Sequence, residues 1–431
     1  MKKAALLSAV LVVVSFSLVA CGGGSHVAGP PSRLTDRVLA SQGVSSPTAI
    51  PGLVIINGEF DTVARAPEIS AGISPGLMAV SPDRSTLLAF DSVSNSVEIV
   101  NTERETLTGA IPLAGPTTSM VALVSGNGYA AVPAAPFESG PPPGAVEVMN
   151  LALGGITATI SVPSAQTVVS SPDGTKLLVF SNDLNIVTVM SPLLVNTGGQ
   201  VTTTVPGFDR PVYGVFSTDG STAYILNCGA ECGGTSASVQ TLNLATLTVG
   251  APVAVDGATI GWLNGTTLYV AGTPTASLSN ASPNNSCSGQ TTAATTCGRL
   301  DLIGLGSMTV TSRAVITDGY HDRIDMSING QLFIGAQTCT NIGNVNNPQG
   351  EVRGCLSIFD TTNATVVIPP DNGDVTGLQS FTTRYVEYVA EGNNLRVYDT
   401  TIDSLLLNDY IETGTITVRG QVVDVKAIDF F

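Results

Sequence analysis

From residue 77 onward, short apolar stretches alternate with polar, turn-forming clusters in a recurring order. The clearest unit runs Leu77-Met78-Ala79-Val80, a turn at Ser81-Pro82-Asp83, then Thr86 to Asp91, Val97 to Asn101 and Leu107 to Leu113. A second copy reads Thr167 to Ser171, Pro172-Asp173-Gly174, Leu177 to Ser181 and Ile186 to Met190. Apolar and β-branched runs of this length, bounded by Gly, Pro, Asp, Asn and Ser, predict strands joined by tight turns. The opening strand of the unit recurs near Met78, Val121, Val168, Tyr213, Ile260, Ile324 and Leu378.

Four short strands repeated about every 40–50 residues predict an all-β chain folded as a β-propeller of four-stranded antiparallel blades. Seven complete units can be laid out. Pieces remain at both ends: Gly52 to Asn57 with Thr62 to Ser70 read as third and fourth strands, and Thr415 to Phe431 as one or two opening strands. Joined, they predict a composite eighth blade that closes the ring and removes exposed strand edges. A seven-bladed ring is the alternative. The turn Ser171-Pro172-Asp173-Gly174, its variants Ser81-Pro82-Asp83-Arg84 and Ser217-Thr218-Asp219-Gly220, and third strands such as Val97-Glu98-Ile99-Val100-Asn101 and Leu356-Ser357-Ile358-Phe359-Asp360-Thr361 resemble the YVTN-type and related bacterial propeller repeats. The resemblance covers nearly everything after residue 50. It implies the architecture and leaves the activity open, because propellers host unrelated functions.

The N-terminus has a different pattern. Lys2 and Lys3 precede apolar residues from Ala4 to Val14, and small and apolar residues lead to Leu18-Val19-Ala20-Cys21. This layout fits a secretory signal, and its last four residues resemble the lipobox of bacterial lipoproteins, which implies lipidation at Cys21. An uncleaved membrane anchor is the alternative reading of the same stretch. The expected organisation is a signal peptide over 1–20, a Gly/Ser/Pro-rich tether over 21–50 and the propeller over 51–431. That places the protein outside the cytoplasm on a bacterial membrane. Gly22 after the Cys, by resemblance to Gram-negative sorting, favours the outer membrane or cell surface, facing the periplasm or the exterior.

Export changes the reading of the cysteines. Of seven, six remain after Cys21, in a compartment where disulfides persist. Cys228 with Cys232, Cys287 with Cys297 and Cys339 with Cys355 each fall between the second and third strands of consecutive units, so three local bridges are expected. Removing Lys2 and Lys3 leaves 15 basic residues against 33 acidic, a charge of −18, which argues against nucleic acid as a partner.

In a four-stranded meander, the second-to-third loop and the connection leading into each blade share one end. The predicted bridges, and the Pro-rich insertion Pro133 to Gly144, therefore mark one face. On that face the connections into units four to seven carry Asp209, Arg210, Asp256, Asp318, His321, Asp322, Arg323, Asp371 and Asp374, whereas those into the first three units lack such groups. This lopsided ring is the candidate ligand site, suited to a protein, a sugar or other small polar ligand, or Ca²⁺ through oxygen donors. Phe208 and Tyr320 could stack on a ligand. The sequence holds two histidines and no zinc-protease, nucleophile-elbow or phosphate-loop motif. The expected function is a lipid-anchored binding or scaffold protein without cofactor. The alternative is a hydrolytic, lactonase-like propeller using the mouth acids and His321.

Overall fold

The computed structural model describes residues 31–43, 51–135, 143–181, 183–274, 297–339, 354–369, 373–381, 383–401, 412–418 and 420–429. Cys21, Cys287, Asp371 and most of the Pro133–Gly144 insertion lie outside them. Thirty-two strands, β1 to β32 in chain order, form eight four-stranded antiparallel sheets. Each sheet is one blade. The innermost strands are β4 (Pro75–Val80), β8 (Ser119–Ala122), β12 (Thr167–Ser170), β16 (Pro211–Phe216), β20 (Ile260–Asn264), β24 (Tyr320–Met326), β28 (Val375–Ser380) and β32 (Gln421–Ala427). Each touches the next, and β32 touches both β28 and β4, so the ring is closed. These strands open blades 1 to 8 in that order. All seven predicted opening positions fall on them.

The closing blade differs in detail from the expectation. Its sheet order is β3 (Thr62–Ile69), β2 (Leu53–Asn57), β1 (Arg37–Gly43), β32. The C-terminal part supplies one strand and the N-terminal part three. The second strand, β1, comes from the segment read as tether, and β31 (Glu412–Ile416) completes blade 7 instead of opening blade 8. The reason is burial: Val38, Leu39 and Ala40 are all fully buried, because a second strand is covered on both faces by neighbouring blades. Arg37 locks this closure. Its guanidinium meets Asp429 after β32 at 2.7 Å and Glu105 of blade 1 at 3.0 Å, and donates to the Thr102 carbonyl at 2.7 Å. On the other flank, Asp61 in the β2–β3 turn accepts from Arg384 at 2.7 Å and from the Tyr388 hydroxyl at 2.6 Å, both of blade 7.

Two repeated devices position the mouth. The Ser-Pro-Asp-Gly segments are turns: Ser81, Ser171 and Ser217 each donate to the Asp two residues on at 2.6 Å. They join first to second strands, on the face opposite the mouth. At the mouth, a buried polar residue on the third strand pins the connection leading into its own blade. Glu147 accepts from Ala114 N at 3.1 Å, Asp301 from Asp256 N at 2.7 Å and Ser357 from Thr317 N at 3.0 Å, while Gln240 donates to Gly207 O at 3.3 Å. Otherwise unpaired backbone groups of the connections are thereby satisfied.

Candidate functional site

Two of the expected bridges are formed, Cys228–Cys232 and Cys339–Cys355. Cys297 is also disulfide-bonded, while Cys287 lies outside the described residues. The bridges sit between second and third strands of blades 4 and 6, on the mouth face as the meander requires.

The residues predicted to ring the mouth divide into three groups. Some are structural. Asp209 accepts from Thr235 N at 2.9 Å and Ser236 N at 2.8 Å, tying down the Cys228–Cys232 loop. Asp256 faces Arg313 at 3.4 Å and Arg299 at 3.7 Å in a blade 5 network around Asp301. Burial, and then the charge of Asp256, push the fully buried Asp301 carboxyl up to about 6.

Others are covered. His321 is fully buried and its Nε2 lies 3.0 Å from the Thr317 carbonyl. Desolvation lowers its pKa to about 4, so the imidazole is neutral and donates through Nε2. A β-bulge between His321 and Arg323 breaks the alternation that would put both on one side of β24. Asp318 and Phe208 are buried as well, which removes Phe208 as a stacking platform. Arg210 is half-buried with positive φ, its backbone N–H donating to Asn185 Oδ1 at 3.1 Å and its Nη1 buried without a partner.

The third group forms a cluster at the blade 4–7 side of the mouth. Asp322 Oδ2 accepts from Gln337 Nε2 at 2.6 Å and meets Arg323 Nη1 at 3.1 Å, whereas its buried Oδ1 has no hydrogen-bond partner. Arg323 Nε is committed to the Thr376 carbonyl at 2.6 Å. Asp374 is exposed; its Oδ1 accepts from Thr338 N at 2.8 Å, next to the Cys339–Cys355 bridge. Asp374 raises the Asp322 pKa, adding to the larger effect of burial. Tyr320 stands at the edge, 36% exposed, with its phenol pushed up to about 12 by desolvation and then by Asp322 and Glu231.

Glu231 is the member that the sequence reading missed. It lies inside the Cys228–Cys232 loop, within the short 3₁₀ turn Gly229–Cys232, and accepts from Thr273 N at 3.1 Å. Desolvation lifts its pKa to about 7. The available signal was an acid among the three residues enclosed by the Cys228–Cys232 loop on the predicted ligand face. Thr273 Oγ1 donates to Gly319 O at 2.8 Å, connecting this loop to the start of β24.

Glu231, Asp322 and Asp374 influence one another or Tyr320 electrically, but they do not converge. Among the described residues no three His, Cys, Asp or Glu side chains are grouped to hold a metal ion. What the cluster offers is an acidic, partly desolvated rim with one aromatic ring and a buried, unused acceptor. Such a rim favours ligands that donate hydrogen bonds or carry positive charge.

No protein-family model matches the sequence, and no curated protein matches it. Solved structures of similar shape exist. The Pseudomonas aeruginosa periplasmic gluconolactonase PpgL is 14% identical, with 91% of this chain and 98% of that chain covered and a TM-score of 0.51. A Bacteroides fragilis protein assigned as a 6-phosphogluconolactonase is 13% identical over 92% of this chain and 98% of its own, at 0.53. The dihydro-heme d1 dehydrogenase NirN is 12% identical over 92% and 75%, at 0.59. At such identities the likeness is one of fold: this chain is built as a β-propeller.

Proposed function

We propose that this protein is an extracytoplasmic binding protein, held to a bacterial membrane through Cys21, whose mouth takes a small polar ligand rich in hydrogen-bond donors, such as a sugar or an amine. The observation that carries this reading is the buried Asp322 Oδ1 without a hydrogen-bond partner, at a rim where Asp322 and Glu231 each act on Tyr320. An orphaned buried acceptor costs about 1–3 kcal/mol, which a ligand donor would recover. The stapled loops support it, because their order is imposed before a ligand arrives.

The test is a thermal-shift and calorimetric screen with monosaccharides, aldonolactones and amines on wild type, Asp322→Asn and Glu231→Gln. A ligand of the mouth should bind each variant about ten- to a hundredfold more weakly. A ligand held at wild-type affinity by both variants would remove this site.

The hydrolytic reading is supported by the fold likeness to the gluconolactonase and by Glu231. A carboxylate with pKa near 7 suits a general base that activates water. Opening of an aldonolactone by wild type, lost in Glu231→Gln with an acid limb near pH 7, would favour it over simple binding.

A further inference from the structure

We propose that the face opposite the mouth docks on a lipid bilayer, one of low negative charge. The proposal rests on the Cys21 anchor for the source of that bilayer, and otherwise on features of the folded body.

Strand direction fixes which turns lie on this face: those joining first to second and third to fourth strands. Among the described residues, 11 large apolar side chains are exposed, and seven of them sit on these turns. Val124, Leu153, Leu193 and Leu194 belong to the neighbouring blades 2 and 3. Phe60, Ile328 and Tyr385 extend the same face around the ring. Within the first group, Val124 and Leu193 border the same hollow. Val124 lines two hollows: one of about 200 Å³ is mixed, with Leu151 and Ala152 beside Asp83, Ser85 and Asn101, and one of about 180 Å³ is mainly apolar, with Pro82, Pro172 and Leu193. Apolar patches of this kind mark interaction surfaces.

The occupant follows from where the chain arrives. Ser32 donates from its backbone N and its hydroxyl to Glu105, in the third-to-fourth turn of blade 1, at 2.7 and 2.5 Å. The chain therefore joins the body on this face, and Cys21 lies only ten residues before Pro31. Ten residues reach at most about 35 Å when fully extended. A lipid at Cys21 thus draws the body toward the bilayer from this face. Leucine, valine and aromatic side chains on turns then add to the anchor by entering the interface. Asp83, Asp173 and Asp219 lie on the same face, each with its pKa lowered by hydrogen bonds from the neighbouring Ser or Thr. With Glu59, Asp61, Glu103 and Glu105 they outnumber Arg84, Arg104, Lys176 and Arg384 on turns of this face, so its net charge opposes anionic headgroups and favours a zwitterionic surface.

The experiment uses the full chain with an added fluorophore at an exposed site. Leu193→Trp reports on the docking face and Ile73→Trp on the mouth face, each read after subtracting the wild-type signal of Trp262. On phosphatidylethanolamine/phosphatidylcholine vesicles carrying a doxyl-labelled lipid, Leu193→Trp should lose most of its added fluorescence and Ile73→Trp none. Phosphatidylglycerol should weaken the effect. In the Cys21→Ser form, Val124→Asp with Leu193→Asp should lower vesicle binding about tenfold or more. An unquenched Leu193→Trp in protein that still sediments with membrane overturns the docking face and leaves the anchor standing. Equal quenching at both positions, or a lipid-independent dimer that protects Leu193→Trp, overturns it too. If the wild-type chain proves unlipidated, quenching on added vesicles still decides the face.

Discussion

A buried pair of carboxyls between blades 6 and 7 makes a quantitative demand on pH. Glu387, on β29 (Val386–Glu391), is fully buried and faces Asp325 of β24. Asp325 has the better claim to the negative charge. Burial raises the Asp325 pKa as well, but its Oδ2 accepts from Ser380 N at 2.6 Å, its Oδ1 from Met326 N at 2.8 Å, and Lys426 favours its anion. Neither Glu387 oxygen accepts a hydrogen bond, and desolvation, followed by the charge of Asp325, raises its pKa well above the ordinary range. Glu387 therefore keeps its proton in the folded protein and can donate it toward Asp325.

The sign follows from proton counting. Above about pH 5 an unfolded Glu has lost its proton, since its pKa is about 4.3, while the folded one retains it. Folding then takes up one proton, and stability falls with rising pH by about 1.4 kcal/mol per unit until the folded pKa is reached. Glu387→Gln keeps the shape and the donor but has no proton to lose. From about pH 5 up to the folded pKa of Glu387, the variant should gain on wild type by about 1.4 kcal/mol per pH unit. Glu231, at about 7, and Asp301, at about 6, add slopes of the same sign below those values. They are common to both proteins and cancel in the difference. Urea unfolding at half-unit intervals from pH 5 to 8.5 measures it. Parallel wild-type and variant curves would refute the assignment of the proton to Glu387.

Arg37→Met should cost about 3–5 kcal/mol, because it leaves Glu105 and Asp429 without their buried cation; a fall in the urea midpoint with unchanged slope checks this, and a loss under 1 kcal/mol would deny the ring closure its ionic lock. Cys21→Ser should release the chain from the membrane fraction or stall its processing, and palmitate labelling that persists in the variant would dismiss the lipidation site.

The repeat was legible because each blade obeys the same local rules. Turn Asp residues take hydrogen bonds from the Ser two positions earlier, and apolar second and third strands follow at fixed offsets. Strand β1 was not legible, for a physical reason. Buried on both faces, Val38-Leu39-Ala40 shows no alternation, and it continues into Ser41 and Gln42, which are buried as well. Ser41 pairs with Asp424, donating to its backbone O at 3.4 Å and accepting from its backbone N at 2.9 Å. Polar residues satisfied by a partner about 380 positions away look like tether when read locally. The third-strand pins were hidden in the same way, since Glu147 and Asp301 resemble surface acids until the connection that they hold is in place. At the mouth, position along the chain was readable and side-chain direction was not. One bulge turned His321 inward and left Asp322 and Arg323 near the rim.

The closure also explains why the two faces differ. With one strand taken from the C-terminal part, the N-terminal part must supply the second strand, which runs from the turn face toward the mouth. Arg37 thus begins β1 on the same face on which Ala427 ends β32. Both described ends, and the ion pairs that lock them, are confined to the turn face. The opposite rim is free to vary, and there the cystine loops and the acidic cluster of blades 4 to 7 are found. A two-plus-two closure would bring the N-terminal segment in on the mouth face, beside any ligand. The one-plus-three closure keeps both described ends of the chain and the mouth at opposite ends of the same channel.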